Sequence, residues 1–159
     1  MTRIHVPIHL RWADLDAYNH VNNVEVVRLL EEARVRAFWL TEPGGGDADP
    51  GLALIDASAG AATLTMIARQ EIEYLLPISY GRQPLDVQVW LGRLGGSSFE
   101  ACYEVRSPAG AEPQALYARA STTIVLVDAA SGRPRRISDE ERAEWSALLE
   151  EPAALGRRG

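Results

Sequence analysis

Apolar residues recur with two different periods along this chain, and the change of period marks its first structural boundary. Ile4, Val6, Ile8, Leu10 and Trp12 alternate with other residues, the spacing of a half-buried strand over residues 3–13. From residue 24 to about 40 the spacing becomes three and four, through Val26, Leu29, Leu30, Ala33, Ala37 and Leu40. Glu25, Arg28, Glu31, Glu32 and Arg36 take most other positions. That pattern predicts an amphipathic helix. Asn22 or Asn23 can cap its start, and Asn22 with Glu25 has capping-box spacing. Thr41-Glu42-Pro43 followed by three glycines stops it and opens a loop to residue 51.

Beyond the loop the period is two almost throughout. A short strand is expected over residues 52–57 and a longer one over 61–76. Leu85, Val87, Val89 and Leu91 form a third run, and Phe99, Ala101, Tyr103 and Val105 a fourth. Residues 116–127 complete the set. Ser138 and Glu141 have capping-box spacing and predict a short helix to about residue 149. One domain is expected over residues 1–150, with a frayed tail over 151–159. A long early helix with four or five antiparallel strands reads as α+β, the sheet covering the helix.

Composition narrows the chemistry. The net charge of −6 argues against a general nucleic-acid partner. All 16 basic residues are Arg, so no lysine can form a Schiff base. The single Cys102 excludes an intramolecular disulfide and a multi-cysteine metal site. No run approaches the roughly 20 apolar residues of a membrane-spanning helix. The N-terminus lacks the apolar core of a signal peptide, and a cytoplasmic protein is the expectation.

Candidate chemistry concentrates in residues 11–23, Arg-Trp-Ala-Asp-Leu-Asp-Ala-Tyr-Asn-His-Val-Asn-Asn. A helix start exposes unpaired backbone N–H groups and a partial positive charge. A carboxylate just upstream can face that end across a gap that fits a polarised carbonyl. Asp16 is the acid best placed, although most Asp residues in such turns only bond nearby backbone. His20 can orient Asp16, contact substrate or close the turn, and Asp14 supports the turn. Asn22 is a helix cap or a substrate-facing donor, and Tyr18 is a further candidate for substrate contact.

Other motifs read as incidental. His5 and His9 share a strand face but lack zinc-site spacing, so no metal is expected. The Asp-x-Asp pair lacks the parallel strand that phosphotransfer on such a motif requires. No Gly-x-Ser-x-Gly elbow accompanies a Ser-His-Asp set.

The motif Asp14-x-Asp16-x3-His20-Val21-Asn22-Asn23, with Glu31-Glu32-Ala33-Arg34 in the helix, resembles the hotdog-fold acyl-CoA thioesterases. It is similar to the 4-hydroxybenzoyl-CoA type and to the long-chain enzymes carrying His-Val-Asn-Asn. The likeness runs from about residue 4 to 134, its specific motifs lying in the first third. It implies hydrolysis of an acyl-CoA or related acyl thioester, Asp16 serving as nucleophile or general base. The amide of Asn23 would polarise the carbonyl. No cofactor is implied, because coenzyme A is part of the substrate. A homodimer or homotetramer with the pocket between subunits is implied as well. Arg82, Arg93 and the Arg133–Arg136 cluster are candidates for the phosphates of coenzyme A, as are Ser97 and Ser98 after Gly95-Gly96. Glu31, Glu32 and Arg34 are expected to pair with one another on the helix surface. The alternative is a non-catalytic hotdog subunit that binds an acyl thioester or acts as a scaffold. A hotdog dehydratase is a third option, against which stands the lack of that group's His-containing helix motif.

Overall fold

Five strands hydrogen-bond in the order β1-β3-β4-β5-β2, every pairing antiparallel. A computed structural model describes residues 3–39, 54–55 and 60–156. The strands are β1 (Ile4–Ile8), β2 (Thr63–Tyr74), β3 (Leu85–Leu94), β4 (Ser98–Arg106) and β5 (Leu116–Asp128). Helix α1 (Asn23–Phe38) lies against one face of this sheet, and a short α2 (Asp139–Trp145) follows the last strand. The observed class is the α+β arrangement that the two periods predict.

Helix and sheet meet through the residues the pattern marks as apolar. Val26, Leu29, Leu30, Ala33, Ala37 and Phe38 are buried on α1, against Val87, Val89, Leu91, Phe99, Val105, Ile124 and Leu126 of the sheet. Burying each Leu or Phe contributes about 2 kcal/mol. Phe38, Phe99 and Trp145 stack edge to face in series at 6.2 and 5.3 Å, which ties both helices to β4.

Boundaries differ from expectation where local hydrogen bonds compete with the pattern. Pairing of β1 with β3 ends at Ile8 opposite Leu85. Asp14 Oδ2 accepts from the Arg11 amide at 2.7 Å, which closes a 3₁₀ turn over Trp12–Asp14 and ends the alternation. Asn22 caps α1 by accepting from the Val24 amide at 3.0 Å. The expected reciprocal bond from Glu25 gives way to a 2.6 Å pair with Arg28. The capping box of α2 forms in full between Ser138 and Glu141. The loop after α1 and most of the strand expected at 52–57 lie outside the described residues. Ile55, within it, bridges Trp39 in parallel.

Two expectations need correction. Arg34, expected on the surface, is 6% exposed. Its Nη1 donates to Tyr103 Oη at 3.3 Å, and its Glu31 partner stands 3.9 Å away. Position 34 follows Leu30 by four residues and so falls on the same buried stripe. The tail is the second case, since residues 150–156 cross the sheet face opposite α1 rather than fraying. Glu150 pairs with Arg3 at 2.6 Å, and its amide donates to Leu91 O. Trp90 Nε1 donates to Glu151 O, the Ala153 amide to Cys102 Sγ, and the Gly156 amide to Glu73. Gly92 permits this close approach, because a Cβ there would stand 2.7 Å from Cys102 Sγ and 3.1 Å from Pro152 Cα. Cys102 lies beneath the strap, and burial pushes its thiol up to about 11.

Candidate functional site

The turn between β1 and α1 is closed by its own backbone. Leu15 bridges Val21, the Asp16 amide donates to His20 O at 2.8 Å, and the Asn22 amide donates to Asp14 O at 2.8 Å. Asn19 takes a positive φ of 61° at the tip, a conformation that Asn tolerates better than most residues. A second layer locks this turn onto the chain after β2, where the Val21 amide donates to Ile78 O and His20 bridges Ser79.

Its two acids live in different surroundings. Asp14 is fully buried. Its Oδ1 accepts from Arg11 Nη2 at 2.9 Å and from Arg28 Nη2 at 2.7 Å. Burial pushes this carboxyl up, but the Arg11 amide and the two guanidinium groups outweigh that and hold it below the usual range. Asp16 is half-buried. Its Oδ1 accepts from the amides of Tyr18 at 2.8 Å and His20 at 3.2 Å. Oδ2 has no partner among the described residues. The local bonding expected of a turn acid is therefore present, and it uses one oxygen of the two.

Asp16 opens on a pocket of about 370 Å³. His20, Val21, Asn23 and Val26 line it from the turn and the helix start. The end of β2 and the residues after it, from Tyr74 to Ile78, form another wall, with Tyr117 and Ala118 of β5. Asn22 spends its side-chain oxygen on Val24, so the Asn23 N–H is left with no partner among the described residues. Tyr74 Oη donates to Asn23 O at 3.1 Å and fastens the end of β2 to the first turn of α1. Burial raises the Tyr74 hydroxyl.

The structure thus brings Asp16, His20 and Asn23 together and leaves the remaining candidates outside the pocket. Asn22 acts as the helix cap. Tyr18 is 81% exposed, away from the lining. Arg82 is exposed on the segment leading to β3. Arg93 and Ser98 line a separate depression with Arg69, Glu71, Glu100 and Thr123. Glu100 and Thr123 are paired in register, and alternation puts them on the sheet face opposite Tyr103 and α1. Ser97 is outside both linings, and its carbonyl accepts from the Leu126 amide. Tyr74, Leu75, Leu76, Ile78 and Tyr117 were not anticipated as pocket residues. The apolar run Leu75-Leu76-Pro77-Ile78 is the one signal that could have found them.

Among the described residues, no group of three or more His, Cys, Asp or Glu is arranged to hold a metal ion. His5 pairs with Asp86 at 2.9 Å on β1 and β3. No helix among them is long and apolar enough to cross a membrane.

Residues 10–146 match a family model described as the thioesterase-like superfamily. No curated protein matches the sequence significantly. Among solved structures, the chain is similar to a candidate thioesterase from Pseudomonas aeruginosa. That match has 30% identity over 89% of this chain and 98% of the other, with a TM-score of 0.68. A thioesterase from Thermus thermophilus, solved with coenzyme A and zinc, is 27% identical over 94% of this chain and 95% of the other, TM-score 0.67. A 1,4-dihydroxy-2-naphthoyl-CoA thioesterase from Synechocystis shares the fold at 16% identity, covering 92% of this chain and 96% of the other, TM-score 0.68.

Proposed function

The chain belongs to the thioesterase-like superfamily and has its hotdog fold, and we propose that it hydrolyses acyl-CoA thioesters with Asp16 and Asn23 as the reacting pair. One observation carries this reading. An acid oxygen and a helix-start amide, each without a partner among the described residues, line the same pocket. The solved Thermus relative with bound coenzyme A supports the substrate class.

In this mechanism the thioester oxygen accepts from the Asn23 N–H at the positive end of α1. A donor aimed at the developing oxyanion contributes about 3 kcal/mol to the rate. Asp16 Oδ2 either adds to the carbonyl carbon, giving a mixed anhydride, or takes a proton from a water that adds. Both routes expel the thiolate of coenzyme A. In the first, water then cleaves the anhydride to release the acid and free Asp16, and in the second the added water leaves as part of the acid. The bonds from Tyr18 and His20 to Oδ1 hold the carboxylate at one angle, which lowers the cost of orienting it. His20 serves as an auxiliary group at the pocket wall. Arg82, exposed four residues after the wall-forming Ile78, is the cation this reading pairs with the nucleotide phosphates.

The working unit in this reading is a homodimer paired along β2. That strand has β5 on one side and an open edge on the other. Leu64, Met66, Ile67, Tyr74, Leu75 and Leu76 stand exposed on it and just beyond. An edge of this length and character suits a second strand.

A panel of short, long, branched and aromatic acyl-CoAs, monitored for thiol release, tests the activity. Asp16→Asn is expected to lower kcat about 1000-fold on the best substrate while binding persists. Wild-type kinetics in that variant would overturn the assignment. Binding of the panel without release of thiol would favour the non-catalytic alternative. A single turnover in ¹⁸O-water tests the anhydride route, since water attacking the anhydride at the Asp16 carbon leaves label on that carboxylate, which the general-base route never does.

A further inference from the structure

A second cavity, of about 300 Å³, lies beside the Thr63 end of β2. Leu54, Ile55, Ala61, Ala62 and Leu126 give it apolar walls. Its rim groups satisfy one another: Arg135 Nε donates to Thr63 Oγ1 at 2.7 Å, and Nη2 to Glu141 Oε1 at 2.6 Å. Trp145 is the exception. It lines the cavity and is 1% exposed, yet its Nε1 has no hydrogen-bond partner among the described residues. Buried indole N–H groups normally find an acceptor. An acceptor brought by whatever fills the cavity would satisfy this one.

We infer that this cavity receives the far end of the acyl group, and that this end carries an oxygen which accepts from Trp145 Nε1. The inference rests on the proposed hydrolysis and on the β2-paired dimer. Within one chain the two cavities stand at opposite ends of β2, since Thr63 lines one and Tyr74 the other. Eleven residue steps of strand separate them by roughly 35 Å. An acyl chain does not span that.

Antiparallel pairing of two β2 edges about a two-fold axis removes the gap. It sets the Thr63 end of one copy beside the Tyr74 end of the other. The axis is perpendicular to the sheet, so both helices stay on the same face. Leu126 and Ala118 alternate in step on β5, so both cavities share that face. The Asp16 pocket of one copy then adjoins the Trp145 cavity of its mate. Reaction and recognition of the acyl group are divided between two chains.

The probes are straight-chain acids of six, eight and ten carbons and their counterparts with an oxo group on the penultimate carbon. In a ¹⁵N spectrum of the intact protein the indole signal of Trp145 is expected to move downfield with an oxo acid and not with its parent. Its assignment comes from the loss of one signal in Trp145→Phe. Should that variant not fold, Trp12→Phe, Trp39→Phe and Trp90→Phe assign it by exclusion. On the matching acyl-CoAs, wild-type kcat/KM favours one oxo substrate by about tenfold. Trp145→Phe brings that ratio close to one.

Mixed dimers of Asp16→Asn and Trp145→Phe chains keep the oxo preference, because one of their two composite sites is intact. A site built within one chain would lose it. An unmoved indole signal with all six acids overturns the inference and leaves the cavity to water. Absence of thiol release with a moving signal would instead strike at the hydrolytic reading and spare the cavity.

Discussion

The sheet face under residues 150–156 and the turn at residues 11–23 are both dense in charged side chains, but they end differently. On the sheet face Arg3 donates to Gln88, Glu104 and Glu150, and its guanidinium carbon lies 3.9 Å from the centre of the Trp90 ring. Asp86 accepts from Gln88 and Gln114 and stands 2.9 Å from His5. Donors there are matched to acceptors, and the strap supplies Glu150 as one of the acceptors. Half of the turn is built the same way, around Asp14 with Arg11 and Arg28. The other half leaves Asp16 Oδ2 and the Asn23 N–H unspent on the wall of a pocket. Groups matched within the chain hold a shape, whereas unmatched groups facing a cavity are available to a substrate.

Substitutions at the two turn acids test that contrast most severely. Asp16→Asn is expected to remove about three orders of magnitude from kcat and to shift the thermal midpoint by less than about 2 °C, because its amide oxygen still accepts from Tyr18 and His20. A large loss of stability would erase the distinction between the two halves. Asp14→Asn leaves two guanidinium groups facing a neutral side chain, and urea unfolding is expected to report a loss of about 3 kcal/mol.

Acid dependence sharpens the same point. Asp14, Asp86 and Glu150 all have carboxyls held below their ordinary values. For Asp14 and Asp86 hydrogen bonds from neighbours outweigh the upward push of burial, and for Glu150 the bond from Arg3 is the main cause. Such groups contribute fully above the unfolded-state value near 4 and lose their contribution as pH falls through the lower folded values. Stability is expected to drop below about pH 4, with a shallower slope in Asp14→Asn.

Arg3→Ala removes three acceptor contacts and the stacking on Trp90. It is expected to cost about 2 kcal/mol while leaving kcat unchanged. A fall in kcat matching that at Asp16 would mean that the strap face and the pocket are coupled. Asn22→Ala removes only the helix cap, and a loss of about 1 kcal/mol by thermal unfolding is expected.

What could be read from the sequence follows from how far each feature depends on distant residues. Helix α1 and its Asn22 cap, all five strands of the sheet and the α2 capping box announce themselves through spacing over a few residues. The Asp16 turn does so too, because most of its bonds run between residues 11 and 22. The remaining walls of the pocket come from residues 74–78 and 117–118, and only pairing of β2 with β5 brings them there. Arg93 and Ser98 look suited to a phosphate from their turn, yet strand alternation directs their neighbours Glu100 and Thr123 to the opposite sheet face. Arg34 was misplaced because its charge suggested solvent while its helix position pointed inward. The strap had no periodic signal at all; Glu150 and Glu151 are held by Arg3 and Trp90, residues more than sixty positions away.

The bond between Arg3 and Glu150 has a practical sequel for protein engineering. It sets the beginning of β1 beside the start of the strap, whose far end at Gly156 lies across the sheet against Glu73 of β2. From Gly156 back to Glu150 is a span of roughly 20 Å when extended. A linker of about eight residues should therefore join end to beginning, and the Gly110 turn between β4 and β5 offers an exposed place to cut. Such a circularly permuted chain would keep the 11–23 turn, the helix start and the β2 edge in their native order.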